Sequence, residues 1–176
     1  RQMCIRDSAM AYLDDCIGRF IDRLKRTPQW ENTLIILLPD HGIFYPEGIS
    51  DTNERKSHIP LIWTGGVVAK ARKIDKICNQ TDLAATLLGQ MGLPHDDFTF
   101  SRDVMSRSYT HPSAVHVWSE GIYWKDATGI SVVNLMTKPE SVFREAPQPS
   151  TLRVNAAKAF LQTCYDYLQG EKPAAR

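Results

Sequence analysis

Residues 33–42 read TLIILLPDHG, an apolar run of strand length that ends directly in Asp40, His41 and Gly42. An uninterrupted apolar run of this kind is typical of a buried strand in an α/β sheet. In open α/β sheets, ligands bind beyond the carboxyl ends of the strands. The carboxylate of Asp40 and the imidazole of His41 therefore stand where a divalent metal site is expected, and Gly42 lets the backbone turn away without a blocking side chain.

An Asp-His pair at a strand end has a second interpretation, a capping carboxylate beside a hydrogen-bonded histidine. His58 favours the metal interpretation, because it opens the next apolar run, HIPLIWT at residues 58–64, and is expected at the same edge of the sheet. Considered alone, His58 is equally compatible with a solvent-facing loop histidine. None of the remaining histidines follows a predicted strand as His41 does; these are His95, His111 and His116.

The composition limits the function classes that the chain can belong to. Its 176 residues are 43% hydrophobic and 23% charged, which suits one globular unit with a sizeable core. The formal net charge of +1 is spread without a basic block, so nucleic acid is not an expected partner. No apolar run approaches the roughly 20 residues that span a bilayer, and we expect a soluble domain.

The first residues need separate treatment. Residues 3–8 read MCIRDS, which looks like the translation of a transposase adapter used in sequencing libraries. We therefore interpret residues 1–8 as a non-native scar and exclude them from the fold prediction. The remaining cysteines, Cys16, Cys78 and Cys164, are widely spaced and indicate neither a zinc knuckle nor a disulfide framework.

Hydrophobic periodicity predicts the order of elements from residue 9 to residue 170. An amphipathic helix covers 9–26, and strands follow at 33–38 and 58–64. A further helix is capped by Thr81 or Asp82 and stopped by Gly92. The α/β portion spans 9–94, an antiparallel meander 95–146 and a closing helix 147–170, and residues 171–176 form a tail. Together, residues 9–170 are expected to belong to one domain.

Four landmarks occur in an order that resembles a known superfamily. They are YLDD at 12–15, the strand ending in DHG at 40–42, HIPL at 58–61, and QTD at 80–82 with TLL at 86–88. In this order the sequence resembles the carboxy-terminal part of a sulfatase-like enzyme of the alkaline phosphatase superfamily. Within that superfamily it looks closest to the lipoteichoic acid synthase, or phosphoglycerol transferase, branch. The resemblance covers nearly all of residues 9–168.

The resemblance implies a doubly wound, mostly parallel α/β sheet with flanking helices and a divalent metal site. Asp40 and His41 match the family's late pair of metal ligands, and the metal is manganese, zinc or magnesium, with calcium as a further alternative. His58 resembles a histidine that binds a second metal or the anionic oxygens of the substrate. Arg55 and Lys56 are candidates for steering an anionic headgroup, although charges in a polar loop are usually just solvated.

The resemblance also implies a function for the parent protein. A Thr or Ser nucleophile attacks a phosphate or sulfate ester, which can be lipid-linked, at the extracytoplasmic face of a bacterial membrane. The family's nucleophile and earlier acidic ligand lie upstream of Ala9, so this chain alone is expected to be inactive, and membrane attachment is expected through the absent N-terminal region. The alternative is a short noncatalytic α/β module that binds an anionic ligand at its sheet edge.

Overall fold

The computed structural model describes residues 2–42, 49–137, 141–146 and 151–170. It divides into a first unit, Arg1–Gly48 with Arg55–Lys73, and a second unit, Ile49–Glu54 with Ile74–Arg176. The order of helices and strands, with a closing helix at the end, confirms the predicted α/β class. None of the described helices combines the length and the apolar character that a bilayer crossing requires. The predicted tail and the proline-rich link at 147–150 lie outside the described residues.

The first unit begins with helix α1, Gln2–Leu24, which starts earlier than the predicted residue 9. A 3₁₀ turn at Pro28–Asn32 follows, with Pro28 at the position where the missing N–H costs nothing. The apolar residues Tyr12, Leu13 and Phe20 of α1 are exposed. That residues 1–8 are a non-native scar stays a prediction.

Strands β1, Ile35–Leu37, and β2, Ile62–Thr64, pair antiparallel, with Ile36 opposite Trp63. The prediction of parallel strands is therefore wrong for this pair. Parallel neighbours need a crossover of a dozen or more residues, usually a long helix, whereas the helix described between them, α2 at Glu54–Ser57, is a single turn. Antiparallel pairs are common within otherwise parallel α/β sheets. Both strands are also shorter than predicted and none of their residues is fully buried.

Gly65 and Gly66 follow β2 directly, and their backbones lie close to the 3₁₀ turn and to Thr33 after it. Gly65 has φ of +127°, and a Cβ there would collide with the carbonyl of Thr33. The N–H of Gly66 donates to the carbonyl of Trp30 at 3.2 Å. Side chains at these two positions are therefore incompatible with the close approach that fixes β2 beside β1.

The second unit contains a 3₁₀ turn, Gln80–Asp82, that continues into helix α3, Leu83–Gln90. Asp82 occupies the N-cap position of α3, as predicted, although its side chain makes no capping hydrogen bond to that helix. Asn79 occupies the N-cap of the preceding 3₁₀ turn, and its N–H donates to Asp82 Oδ2 at 2.9 Å. Gly92 adopts φ of +68° directly after α3, which confirms the predicted stop.

An ion pair with a buried carboxylate joins Asp82, directly before α3, to Arg102 in the chain that follows the helix. Asp82 is 1% exposed, and its Oδ1 accepts hydrogen bonds from the backbone N–H and Nε of Arg102, both at 3.0 Å. Its Oδ2 accepts a third from Arg102 Nη2 at 2.7 Å. Arg102 also donates to the hydroxyl and the carbonyl of Ser113, each at 2.8 Å. Residues 95–112 are predicted as part of the meander but form turns instead. Arg102 connects these turns to Asp82 on one side and to Ser113 on the other.

The antiparallel meander is confirmed as a four-stranded sheet in the order β3-β4-β5-β6. Its strands are Ser113–Trp118, Gly121–Asp126, Gly129–Asn134 and Ser141–Ala146. The closing helix α4, Thr151–Leu168, packs Ala157 against Ile122 and Val133, all fully buried. Arg153 of α4 is buried as well and donates from Nε to Ser131 Oγ at 2.9 Å.

Candidate metal centre

Asp40 and His41 follow β1 after only two residues, as the sequence predicts. Asp40 Oδ1 accepts the backbone N–H of His41 at 3.0 Å. The Nδ1 atom of His41 lies 2.6 Å from the carbonyl oxygen of Gly42. A carbonyl can only accept, so this contact assigns the proton of the neutral ring to Nδ1 and leaves the lone pair on Nε2.

The free Nε2 of His41 points toward the carboxylate of Asp40, at 3.6 Å from Oδ1. This distance is too long for a hydrogen bond. Two ligands of one tetrahedral ion, each about 2.0–2.1 Å from it, lie roughly 3.3–3.4 Å apart, which the observed separation matches to within a few tenths of an ångström. An imidazole whose second nitrogen donates to a carbonyl is also the usual arrangement of a metal-binding histidine. The two side chains therefore fit two positions around one divalent ion.

Both side chains are open to solvent in the described chain. The Asp40 side chain is 88% exposed and that of His41 is 79% exposed. Among the residues that the structure describes, no group of three His, Cys, Asp or Glu side chains could hold a metal ion. Asp40 and His41 thus stay a predicted pair of metal ligands, and His58 does not complete a three-ligand cluster with them among the described residues.

Gly42 brings the segment before His58 against this edge. A Cβ at Gly42 would collide with the carbonyl oxygen of Lys56, so only glycine permits this approach of the two backbones. Ser57 and His58 follow Lys56 directly, and the His58 side chain belongs to an exposed residue. A role of His58 at this edge stays a prediction.

Ser57 is a residue that the sequence analysis missed. Its Oγ is shielded from solvent and has no hydrogen-bond partner within the described parts of the chain. Nothing in the local sequence ERKSH distinguishes this serine from a solvated loop residue.

Comparison with known proteins supports the family that the landmarks indicated. A family model described as "Sulfatase" matches residues 1–93. A protein named "Sulfatase" from Formosa agariphila is 33% identical over 92 residues, an alignment that covers 49% of this chain and 18% of that protein.

The crystal structure of a protein in the alkaline phosphatase superfamily from Vibrio parahaemolyticus superposes with a TM-score of 0.69. The match covers 90% of this chain and 41% of that one, at 19% sequence identity, and it supports the fold. The chain thus spans less than half the length of either of these proteins. Because the family model covers more than half of the 176 residues, the chain belongs to the sulfatase family.

Proposed function

We propose that the chain forms part of a metal-dependent sulfatase-like enzyme that cleaves or transfers phosphate or sulfate esters, specifically a phosphoglycerol transferase of the lipoteichoic acid synthase type. The observation that carries the proposal is the separation of 3.6 Å between Asp40 Oδ1 and Nε2 of His41, whose Nδ1 lies against the Gly42 carbonyl. Membership of the sulfatase family supports the chemistry at the level of ester cleavage. The phosphoglycerol specificity rests on the order of the sequence landmarks.

Asp40 and His41 would hold the divalent metal, whose chemistry when bound is to polarise the ester oxygen and to lower the pKa of the nucleophile. The contact of His41 Nδ1 with the Gly42 carbonyl would leave Nε2 to bind the metal. Lys56 lies against the backbone of Gly42 and His58 follows two residues later, and its imidazole would bind the anionic oxygens of the substrate. The remaining ligands and the nucleophile are proposed to come from another part of the enzyme.

We further propose a setting for the enzyme at the extracytoplasmic face of a bacterial membrane. This follows from the phosphoglycerol transferase assignment, because the substrates of that branch are lipid-linked. Cell fractionation with a protease-accessibility assay on intact spheroplasts tests it. Digestion of the domain from outside supports the proposal, and protection until lysis contradicts it.

The test of the activity compares Asp40→Asn with Asp97→Asn in the full-length enzyme, since Asp97 is an exposed carboxylate outside the site. Bound metal is measured by mass spectrometry, and turnover is measured on phosphatidylglycerol, p-nitrophenyl phosphate and p-nitrophenyl sulfate. We expect loss of metal and a fall in turnover of at least about a thousandfold for Asp40→Asn only. Equal metal content and turnover in the two variants would remove Asp40 from the site.

The substrate panel separates phosphoglycerol transfer from simple hydrolysis. Turnover of phosphatidylglycerol well above that of the two aryl esters supports the transferase assignment. Preference for aryl sulfate supports a sulfatase instead. Complete inactivity of the wild-type protein on all three, together with no bound metal, supports the noncatalytic anion-binding alternative.

A further inference from the structure

Strand β3 has one outer edge in the sheet of the second unit. It is the first strand of the order β3-β4-β5-β6, so β4 lies on one side of it and the other side is an edge of the described sheet. In an antiparallel pair, the N–H and C=O groups of every second residue point away from the partner strand. On an edge strand, such groups are a template for pairing with another chain.

Asn79 contacts the middle of this edge through its side chain. Its Nδ2 donates to the carbonyl oxygen of Val115 at 2.8 Å, and its Oδ1 accepts the backbone N–H of Val115 at 2.7 Å. A primary amide carries a donor and an acceptor side by side, as one residue of a paired strand does. A single side chain therefore satisfies both outward backbone groups of Val115.

The contact at Val115 also identifies the other residues of β3 that face outward. Because the direction alternates along a strand, the backbone groups of Ser113 and Val117 point to the same side. Arg102 contacts the first of these residues, and its Nη2 donates to the carbonyl oxygen of Ser113 at 2.8 Å. Val117 is exposed, and no side chain in the described part of the second unit takes the corresponding place there. The edge is thus closed at two positions and open at the end next to the hairpin turn.

The two closing side chains are themselves held in place. Arg102 donates to Asp82, and its guanidinium carbon lies 5.0 Å from the ring centroid of Tyr109. The hydroxyl of Tyr109 donates to the carbonyl oxygen of Ile77 at 2.7 Å, two residues before Asn79. The backbone N–H of Asn79 donates to Asp82 as well. These bonds fix the approach of Asn79 to β3, although the chain before it belongs to no helix or strand.

The sequence of β3 lacks the usual features that protect an edge strand. Ser113–Trp118 reads SAVHVW, without proline and without an acidic residue, lysine or arginine. Native edge strands are commonly protected by charged side chains or proline. A short segment with β-branched and aromatic residues and low charge favours pairing between chains. Protection of this edge therefore has to come from outside the strand.

We propose that Asn79 and Arg102 take the place of a fifth strand and keep β3 from pairing with β3 of a second copy of this chain. A second copy is the partner that is excluded, because a two-fold rotation sets the outward groups of one β3 opposite those of the other in an antiparallel pair. Asn79 carries most of this role, since it occupies both backbone groups of Val115 at the middle of the strand.

The experiment removes the amide of Asn79 from the 176-residue chain. Asn79→Ala leaves Val115 without its two side-chain partners. Asn79→Ser is made in parallel, because serine suits the N-cap position that Asn79 occupies yet carries one hydroxyl in place of the amide. The molar mass is measured by light scattering over a concentration series, with the wild type as the reference. Hydrogen exchange at the Val115 N–H is followed by NMR, and circular dichroism reports the fold.

Two further variants serve as controls. Asn155→Ala is the matched control, since Asn155 is an exposed asparagine on α4 of the same unit. Val117→Lys is combined with Asn79→Ala to place a charge at the open end of the same edge. Like charges that meet across two paired strands are destabilising, so this double variant should resist association through β3.

We expect exchange at Val115 to be about tenfold faster in dilute Asn79→Ala, and the molar mass to rise up to about twofold over the wild type with concentration. Asn79→Ser follows in the same direction, Asn155→Ala matches the wild type, and the added Val117→Lys returns the mass to that of the wild type. A wild-type mass in folded Asn79→Ala and Asn79→Ser overturns the proposal, even with faster exchange, because the amide then only stabilises β3. Association that persists with Val117→Lys also overturns it, since the copies then meet elsewhere. Loss of the folded circular dichroism signal in both Asn79 variants overturns it too, because the role of Asn79 is then in folding.

Discussion

Asp82→Asn is the sharpest test of how the second unit is held together. The carboxylate accepts four hydrogen bonds, two at each oxygen, from the backbone of Asn79 and from three N–H groups of Arg102. An asparagine in the same pocket presents one oxygen and one NH₂ group. Whichever way the amide is turned, its NH₂ group faces two donors, so two bonds are lost and the charge is lost from the other two.

The magnitude follows from this count. Two lost bonds at about 1–1.5 kcal/mol each give roughly 2–3 kcal/mol. The Arg102 side chain is 39% exposed and regains water, which lowers the expected cost to about 2 kcal/mol. For a chain of this size, that corresponds to a fall in Tm of about 4–8 °C.

The assay is urea unfolding followed by circular dichroism, with thermal unfolding as a second measure. Asp97→Asn is the control, since Asp97 is an exposed carboxylate in the same stretch of turns. We expect a shift of the midpoint for Asp82→Asn at unchanged slope and none for the control. Identical curves for the two variants would refute the reasoning that the Asp82–Arg102 pair fastens residues 95–112.

Three further changes test other parts of the structure. His41→Asn keeps a donor near the Gly42 carbonyl but removes Nε2, so we expect at least about tenfold weaker zinc or manganese affinity by titration calorimetry; unchanged affinity contradicts the ligand assignment. Gly42→Ala forces a Cβ into the carbonyl of Lys56, and we expect faster hydrogen exchange in the α2 turn and lower turnover; wild-type exchange contradicts the close approach. Burial raises the pKa of Tyr109 to about 12, which favours its protonated form in the folded state, so its contribution to stability is present below about pH 10 and is lost as the pH rises toward 12. Tyr109→Phe should flatten that fall in a series of urea titrations, and an identical pH dependence contradicts it.

The strand-end position of Asp40 and His41 was predictable because its signal is local. Residues 33–42 carry both the apolar run and the polar triplet, so the carboxylate and the imidazole are placed at a strand end by sequence alone. The tautomer of His41 was not predictable, since it depends on the backbone geometry that turns the Gly42 carbonyl toward Nδ1.

Features that join distant segments escaped the sequence analysis. The direction of β2 against β1 depends on how residues 38–61 return, and an apolar run reads the same in either direction. Arg102 lies among turns without hydrophobic periodicity, so its contact with Asp82, 20 residues earlier, has no signature. Lys125 likewise fits the alternation of a meander strand, and its partner Glu54 lies 71 residues away.

The regular elements of the second half were predicted better. Alternating apolar residues in β3, β4 and β5 marked the meander, and the three- and four-residue spacing after residue 151 marked α4. These patterns arise because each strand and helix buries one face. The buried residues Ile122 and Val133 of the sheet pack there against Ala157 of α4.

Anomalous diffraction from crystals of the proposed enzyme grown with manganese tests whether Asp40 and His41 bind a metal ion together. We expect an anomalous peak bound by both Asp40 and His41, about 2.0–2.2 Å from a carboxylate oxygen and from Nε2, with Nδ1 still donating to the Gly42 carbonyl. A manganese peak bound elsewhere, with both side chains left in solvent, would contradict it.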